Sequence, residues 1–125
     1  MCSARTRLRC WSARPAATRW RVLARYGAVS LLEIALETGR THQIRVHLSA
    51  IGHPVVGDPV YGGAGRVRDV ADPVLRARLR AMRRQALHAA RLDFIHPVTG
   101  RPLAVCAPLP TDMGALIAFL RGEGP

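Results

Sequence analysis

Two neighbouring stretches near the start of the chain alternate between apolar and polar residues, which is the pattern of a strand with one buried face. From Thr18 to Tyr26, apolar side chains take every second position from Trp20 onward, and Arg19, Arg21 and Arg25 lie on the opposite face. Val29 to Glu37 alternates in the same way after a break at Gly27. The two stretches therefore predict an antiparallel hairpin whose first strand has one basic face in solvent.

Helical spacing replaces the alternation after this hairpin. Ile44, Leu48 and Ile51 are apolar at intervals of three and four, the spacing of one helix face. Thr41 precedes them and is a residue type that caps helix N-termini. We therefore expect a helix over residues 41–51 with Thr41 as its cap.

The rest of the chain contains a glycine- and proline-rich loop, two more helices and a second hairpin. Asp72 followed by Pro73 is typical of a helix start. Two strands are expected at Ala89–His96 and Arg101–Ala107, and a last helix runs from a cap at Thr111 to Leu120. The predicted fold class is α+β, with antiparallel hairpins and about three helices.

The chain is strongly basic, and all of its basic residues are arginine. It has 19 Arg and no Lys against eight acids, for a formal net charge of +11. Such a charge favours a polyanionic partner such as RNA, because phosphate contacts release counterions. An acidic protein or a membrane surface is the alternative on charge alone. Leu75, Leu79 and Met82 form an apolar stripe, and a basic stripe runs parallel to it. This basic stripe is the candidate RNA-backbone contact, with a solvated face as the alternative interpretation. Its members are Arg76, Arg80, Arg83 and Arg84.

Cysteines and histidines do not indicate a metal site. The three cysteines are odd in number and lack CxxC spacing, so neither a disulfide framework nor a zinc ribbon is expected. His42 and His47 are five positions apart and would not share a helix face. No apolar run is long enough to span a membrane. A cytoplasmic location is predicted, with a mitochondrial transit peptide as the lesser alternative for the arginine-rich start.

Two motifs with defined spacing carry a family resemblance. Residues 36–47 read LETGRTHQIRVH, and residues 52–62 read GHPVVGDPVYG. LHA at 87–89, FIHP at 94–97 and APLP at 107–110 follow later in the chain. Together they resemble the RluA-type RNA pseudouridine synthases. The resemblance covers residues 14–120 as the C-terminal part of the catalytic domain, and it leaves 1–13 as an unrelated or disordered basic leader and 121–125 as a tail.

The resemblance implies isomerisation of uridine to pseudouridine in ribosomal or transfer RNA, without a metal or an organic cofactor. The target base leaves its stack, and an aspartate carries the chemistry with an arginine that corresponds to Arg45. Ile44 would form part of the site wall. Arg40 and His42 would contact phosphate or fix the loop, with plain packing as the alternative for His42. The remaining motif residues would support the site: Gly39, Thr41, Gln43, Asp58 and Tyr61. Substrate contact is the alternative for Asp58 and Tyr61, and contact with the RNA backbone is the alternative for the other three.

The family's aspartate belongs to a His-Arg-Leu-Asp segment followed by Thr-Ser-Gly, which does not occur in these 125 residues. Arg91-Leu92-Asp93 has three of the letters, but its place matches the late hairpin, so Asp93 is expected to be an exposed strand residue. Arg45 is then expected to lack its partner and to lie in a more solvated site. We expect an inactive, marginally stable chain that is monomeric if it folds.

A second hypothesis from another class is a non-catalytic RNA-binding module that relies on the basic surface alone. A metal-binding regulator is disfavoured by the histidine spacing. Salt-dependent RNA binding by a well-folded chain without turnover would distinguish the binding module from the enzyme fragment.

Overall fold

A three-stranded antiparallel sheet forms the start of the molecule. The computed structural model describes residues 6–10, 16–36 and 42–122, and the chain divides into two compact units, Met1–Gln85 and Ala86–Pro125. The sheet belongs to the first unit and has the strand order β1-β2-β3. Its strands are β1 (Thr6–Cys10), β2 (Ala16–Tyr26) and β3 (Val29–Leu36).

The predicted first hairpin is confirmed as β2 and β3. Trp20 pairs with Ile34 and Arg21 with Glu33, and the register shifts between Val22 and Ala24. The Arg21 and Glu33 side chains also form an exposed ion pair of 2.9 Å. β1 was not predicted, and it lies within the segment 1–13 that the sequence analysis treated as a leader.

Helix α1 (Gln43–Ala50) follows the sheet and begins later than predicted. Its N-cap position is His42, which makes no capping hydrogen bond through its side chain. The predicted cap, Thr41, lies outside the described residues. The backbone of His42 is left-handed, with φ of 52°. This conformation turns the chain into the helix without the extended backbone that the predicted threonine cap requires.

Two short elements and one longer helix complete the first unit. The glycine-rich loop contains α2 (Gly63–Arg66) and a 3-10 turn (Val67–Asp69), neither of which was predicted. Helix α3 (Pro73–Arg80) starts as predicted, because the Asp72 carboxylate accepts hydrogen bonds from the backbone N–H groups of Val74 and Leu75. The predicted apolar stripe is buried and forms much of the core: Leu75, Leu79 and Met82, with Ala17, Leu48, Val55 and Val67.

The second unit has the predicted hairpin and the last helix. They are β4 (Arg91–Ile95), β5 (Pro102–Cys106) and α4 (Thr111–Leu120). Every residue of both strands is exposed. Thr111 is not the helix cap: Pro110 holds that position, and the helix has no side-chain cap. The α+β class and the two antiparallel hairpins are confirmed.

No helix within residues 42–122 has the length and apolar character needed to cross a membrane.

Candidate active site around Arg45

Arg45 lies in the first turn of α1 and forms a buried ion pair with Asp58. Its Nε donates to Asp58 Oδ2 at 2.7 Å, and its Nη2 donates to Oδ1 at 2.8 Å. Arg45 is 8% exposed and Asp58 is fully buried. The expectation of a more solvated site around Arg45 is therefore wrong. Asp58 is a carboxylate partner that was not predicted, while the absence of the family's catalytic aspartate stays a prediction. Two parallel hydrogen bonds hold the planar guanidinium in one orientation.

A tight loop fixes the Asp58 carboxylate. Oδ1 also accepts the backbone N–H groups of Val60 at 2.9 Å and Tyr61 at 3.1 Å. The Asp58 N–H donates to the carbonyl oxygen of Val55, and its own carbonyl accepts from Ala64 N–H, both at 3.1 Å. Asp58 is thus bonded through side chain and main chain, so the carboxylate has little freedom to follow a moving partner.

The pKa values of the two groups shift in the directions that stabilise the ion pair. The hydrogen bonds from Arg45 hold the pKa of the Asp58 carboxyl well below its ordinary value of 3.8, against the opposing effect of burial. The N–H groups of Tyr61 and Val60 lower that pKa further. The bond to Asp58 raises the pKa of the Arg45 guanidinium. Both groups therefore stay charged at neutral pH.

Two glycines allow this loop to close. A Cβ atom on Gly63 would lie 1.8 Å from the carbonyl oxygen of Val55, and one on Gly57 would lie 2.2 Å from the carbonyl oxygen of Arg84. Gly57 also has a positive φ of 76°. A side chain at either position would push apart the backbone segments that flank Asp58.

Tyr61 covers one face of the arginine. The Arg45 Cζ atom is 5.0 Å from the centroid of the Tyr61 ring, within the range of a cation–π contact. The Tyr61 hydroxyl lies 3.0 Å from Nδ1 of the exposed His42, and its carbonyl accepts a hydrogen bond from Ser49 Oγ at 2.8 Å. Ile44, which precedes the arginine, is half-buried. Tyr61 therefore connects the start of α1 to the loop that carries Asp58.

A second buried polar cluster joins α1 to β2. Gln43 Nε2 donates to the carbonyl oxygen of Ala17 and to Thr18 Oγ1, both at 2.9 Å. Thr18 Oγ1 is in turn 2.8 Å from His47 Nδ1. Thr18 and His47 were not among the predicted site residues. The available signal was that Thr18 shares the strand face of Trp20, while Gln43 and His47 are four residues apart on one helix face.

The other predicted site residues differ in whether the structure describes them and in how exposed they are. Gly39, Arg40 and Thr41 lie outside the described residues. Arg76 is half-buried and donates to the carbonyl oxygen of Val70 at 2.9 Å. Three candidates are exposed and keep their predicted role as a hypothesis: Arg80, Arg83 and Arg84. Within the described ranges, no three side chains among His, Cys, Asp and Glu converge in a way that could hold a metal ion.

The region around Arg45 overlaps the match to a family model. The model described as RNA pseudouridylate synthase matches residues 11–50. The ribosomal large subunit pseudouridine synthase D of Xanthomonas campestris is 50% identical over 110 residues, which is 88% of this chain and 33% of that protein.

Proteins of the same name from two other bacteria give similar values. The Nitrosomonas europaea protein is 51% identical over 108 residues, 86% of this chain and 30% of its own length. The Escherichia coli K12 protein is 46% identical over 110 residues, 88% of this chain and 34% of its own length. The chain therefore spans about a third of the length of the curated relatives it matches.

Proposed function

The chain belongs to the RluA-type family of RNA pseudouridine synthases, and on that premise we propose that it supplies the arginine side of a site that isomerises uridine to pseudouridine in RNA. The relatives are named for the large ribosomal subunit, so ribosomal RNA is the proposed substrate and the cytoplasm the proposed compartment. Transfer RNA is the alternative substrate.

The observation that carries this proposal is the Arg45–Asp58 pair beneath Tyr61. A buried guanidinium held by two hydrogen bonds provides a fixed positive charge. Isomerisation needs such a charge, because a reacting carboxylate in a desolvated pocket stays ionised only beside a cation. Arg45 is the residue of the GRTHQIR motif to which the family resemblance assigns this part.

In this proposal, Arg45 binds and orients the reacting carboxylate, and the chain's other residues position Arg45. The segment that carries the family's aspartate is not among these 125 residues, so the carboxylate comes from polypeptide other than these residues. Ile44 forms part of the wall beside the target base. The proposed chemistry uses acid, base and ion-pair groups and calls for no metal or organic cofactor.

The exposed arginines after and within α3 form the proposed RNA contact. Arg80, Arg83 and Arg84 are exposed, and the net charge of the chain is +11. Each phosphate contact would release counterions, so affinity should fall steeply with salt. The same surface would serve the alternative function, RNA binding without catalysis.

A fusion protein tests the catalytic proposal. The first two-thirds of the Xanthomonas campestris synthase would be joined to residues 14–125 of this chain and assayed by tritium release from large-subunit RNA transcripts labelled at uridine C5. We expect turnover by the fusion, no turnover by the 125-residue chain alone, and a loss of about 100-fold or more in kcat for Arg45→Ala. Asp93→Asn, in the exposed hairpin, is the control and should retain full activity.

The outcomes separate the two functions. Full activity of the Arg45→Ala fusion would overturn the assignment of Arg45, and turnover by the isolated chain would overturn the need for a supplied carboxylate. An inactive fusion that binds RNA, with a binding constant that falls with salt and weakens on changing Arg80, Arg83 and Arg84 to Gln, would favour the binding module.

A further inference from the structure

We propose that Asp58 is a positioning residue for the isomerisation: it holds the guanidinium of Arg45 by one edge and turns the other edge toward the reacting carboxylate. This inference rests on the proposed function. It gives a separate task to a carboxylate that was predicted as structural support.

The pattern of hydrogen bonds at Arg45 leaves a defined edge available. A guanidinium has five N–H donors. Asp58 takes Nε and one N–H of Nη2. In the part of the chain that the structure describes, Arg21 Nε is the buried side-chain nitrogen or oxygen without a hydrogen-bond partner. Arg45 Nη1 also makes no hydrogen bond to a described residue, since the guanidinium bonds run from Nε and Nη2. Because Nη1 is not among the buried atoms without a partner, it is accessible to solvent. The edge formed by Nη1 and Nη2 can therefore accept a second carboxylate in a bidentate arrangement.

Asp58 has the rigidity that a positioning residue needs. Its carboxylate is bound by Arg45 and by the N–H groups of Val60 and Tyr61. The glycine contacts at 57 and 63 keep the surrounding backbone close-packed. Arg45 therefore adopts the direction set by the loop, because the loop is more constrained than a long arginine side chain.

A resident carboxylate also changes the charge that a reacting carboxylate meets. Against a bare guanidinium, a nucleophilic carboxylate would be strongly stabilised and its basicity would fall. With Asp58 already bound, the guanidinium is partly neutralised, so the second carboxylate stays ionised but keeps more of its reactivity. Removal of the Asp58 charge should therefore lower the pKa of a reacting carboxylate that stays bound to Arg45, while the loss of one hydrogen bond lets the guanidinium turn out of its productive orientation.

Two different roles for Asp58 give different kinetic results. If Asp58 only supported the fold, Asp58→Asn would reduce the amount of folded enzyme and leave the pH profile of kcat in place. If it positions Arg45, the folded variant should lose kcat with little change in KM, and the acid limb of the profile should move to lower pH. Asparagine retains an oxygen that can accept the Val60 and Tyr61 N–H groups, so it is the least disruptive change.

The experiment uses the fusion protein described above, with Asp58→Asn, Arg45→Lys, the double variant and the Asp93→Asn control. We expect Asp58→Asn to lower kcat by about 10- to 100-fold, the loss typical of a misplaced catalytic group. KM should change by less than about threefold, because the interaction is made with the reacting group. In the Arg45→Lys background, Asp58→Asn should add little.

A second measurement uses the 125-residue chain and does not depend on turnover. The Nε–H proton of Arg45 should exchange slowly with solvent in nitrogen-15 spectra, and Asp58→Asn should make its exchange fast while the backbone spectrum stays folded. The Nε–H of Arg91, in an exposed pair, is the fast-exchanging reference.

The inference and the proposed function fail in different ways. Full kcat and an unmoved acid limb in Asp58→Asn, together with a strong loss in Arg45→Lys, would overturn the inference and leave the proposed function standing. Slow exchange of Arg45 Nε–H in Asp58→Asn would also overturn it. Full activity after replacing Arg45 would overturn both.

Discussion

Two arginine–aspartate pairs in the described part of the chain look alike in bond length and differ in almost everything else. In the first unit, Arg45 and Asp58 are 2.7 Å apart with side-chain exposures of 9% and 0%. In the second unit, Arg91 and Asp93 are 3.0 Å apart with exposures of 64% and 60%. The first pair closes a loop of 13 positions, and the second joins residues two apart on one strand.

The difference shows that burial and the number of surrounding hydrogen-bonding groups decide how firmly an ion pair holds its side chains. An exposed pair is screened by water and contributes little. A buried pair must have its remaining polar atoms satisfied, and Asp58 meets this requirement through two backbone N–H groups. The exposed pair belongs to Arg91-Leu92-Asp93, which matches three residues of the family's His-Arg-Leu-Asp segment. The buried pair instead holds its arginine in one orientation through two parallel hydrogen bonds.

The prediction with the largest expected effect compares the loss of a leucine side chain from each unit, and so tests whether the units differ in packing as they do in their ion pairs. Leu79 is 2% exposed and Leu92 is 62% exposed. Leu79→Ala should lower the free energy of unfolding by about 2–5 kcal/mol, because it opens a cavity in the core. Leu92→Ala should change it by less than about 0.5 kcal/mol. Urea unfolding followed by tryptophan fluorescence checks both, and equal losses would contradict the comparison.

The next prediction concerns acid. The pKa of Asp58 is lower in the folded chain than its ordinary value of 3.8, so the unfolded chain binds more protons than the folded chain at acid pH. The ion pair therefore stabilises the fold fully at pH values above the ordinary pKa. This contribution should be complete at pH 7 and should decline as the pH falls below about 4. The difference in unfolding free energy between the native chain and Asp58→Asn should therefore shrink on acidification, as measured by urea titrations at several pH values.

The matched variant for the acid experiment is Asp93→Asn, because it removes the same charge from the exposed pair. Its unfolding free energy should stay close to that of the native chain at every pH. A gap for Asp58→Asn that widened as the pH fell would contradict the sign of the pKa shift.

The smallest effect expected concerns the buried cluster beneath α1. Thr18→Val keeps the side-chain shape and removes the hydroxyl that lies between Gln43 and His47. Leaving their polar atoms without that partner should lower the free energy of unfolding by about 1–3 kcal/mol. Thr99→Val, in the exposed turn of the second hairpin, should have almost no effect. Equal unfolding midpoints for the two variants would show that the cluster does not hold α1 on the sheet.

Local patterns were sufficient for most of the secondary structure. Alternation predicted β2 and β3, and the Asp72-Pro73 pair predicted the start of α3, because each signal acts between neighbouring residues. The start of α1 was misplaced, since the spacing of apolar residues carries no information about the left-handed backbone of His42. β1 was missed because the segment around it matched no family motif.

The contacts around Arg45 were not predicted, and the roles given to its residues stay predictions. The motifs pointed to Arg45, Asp58 and Tyr61 as separate residues, and they assigned the arginine an absent partner. Their meeting depends on a loop whose closure is a tertiary property. Helix periodicity could have placed Gln43 and His47 on one face, but it could not show that Thr18 lies opposite them.

The two glycines beside Asp58 set limits on how this protein can change during evolution. Positions 57 and 63 have no room for even one added carbon, so substitutions there are expected to be lost, while nearby exposed positions such as Val60 can vary. A distant descendant whose GRTHQIR motif has drifted should keep the spacing of six between these glycines with an acid directly after the first. That spacing is a search pattern for relatives that motif matching alone would miss.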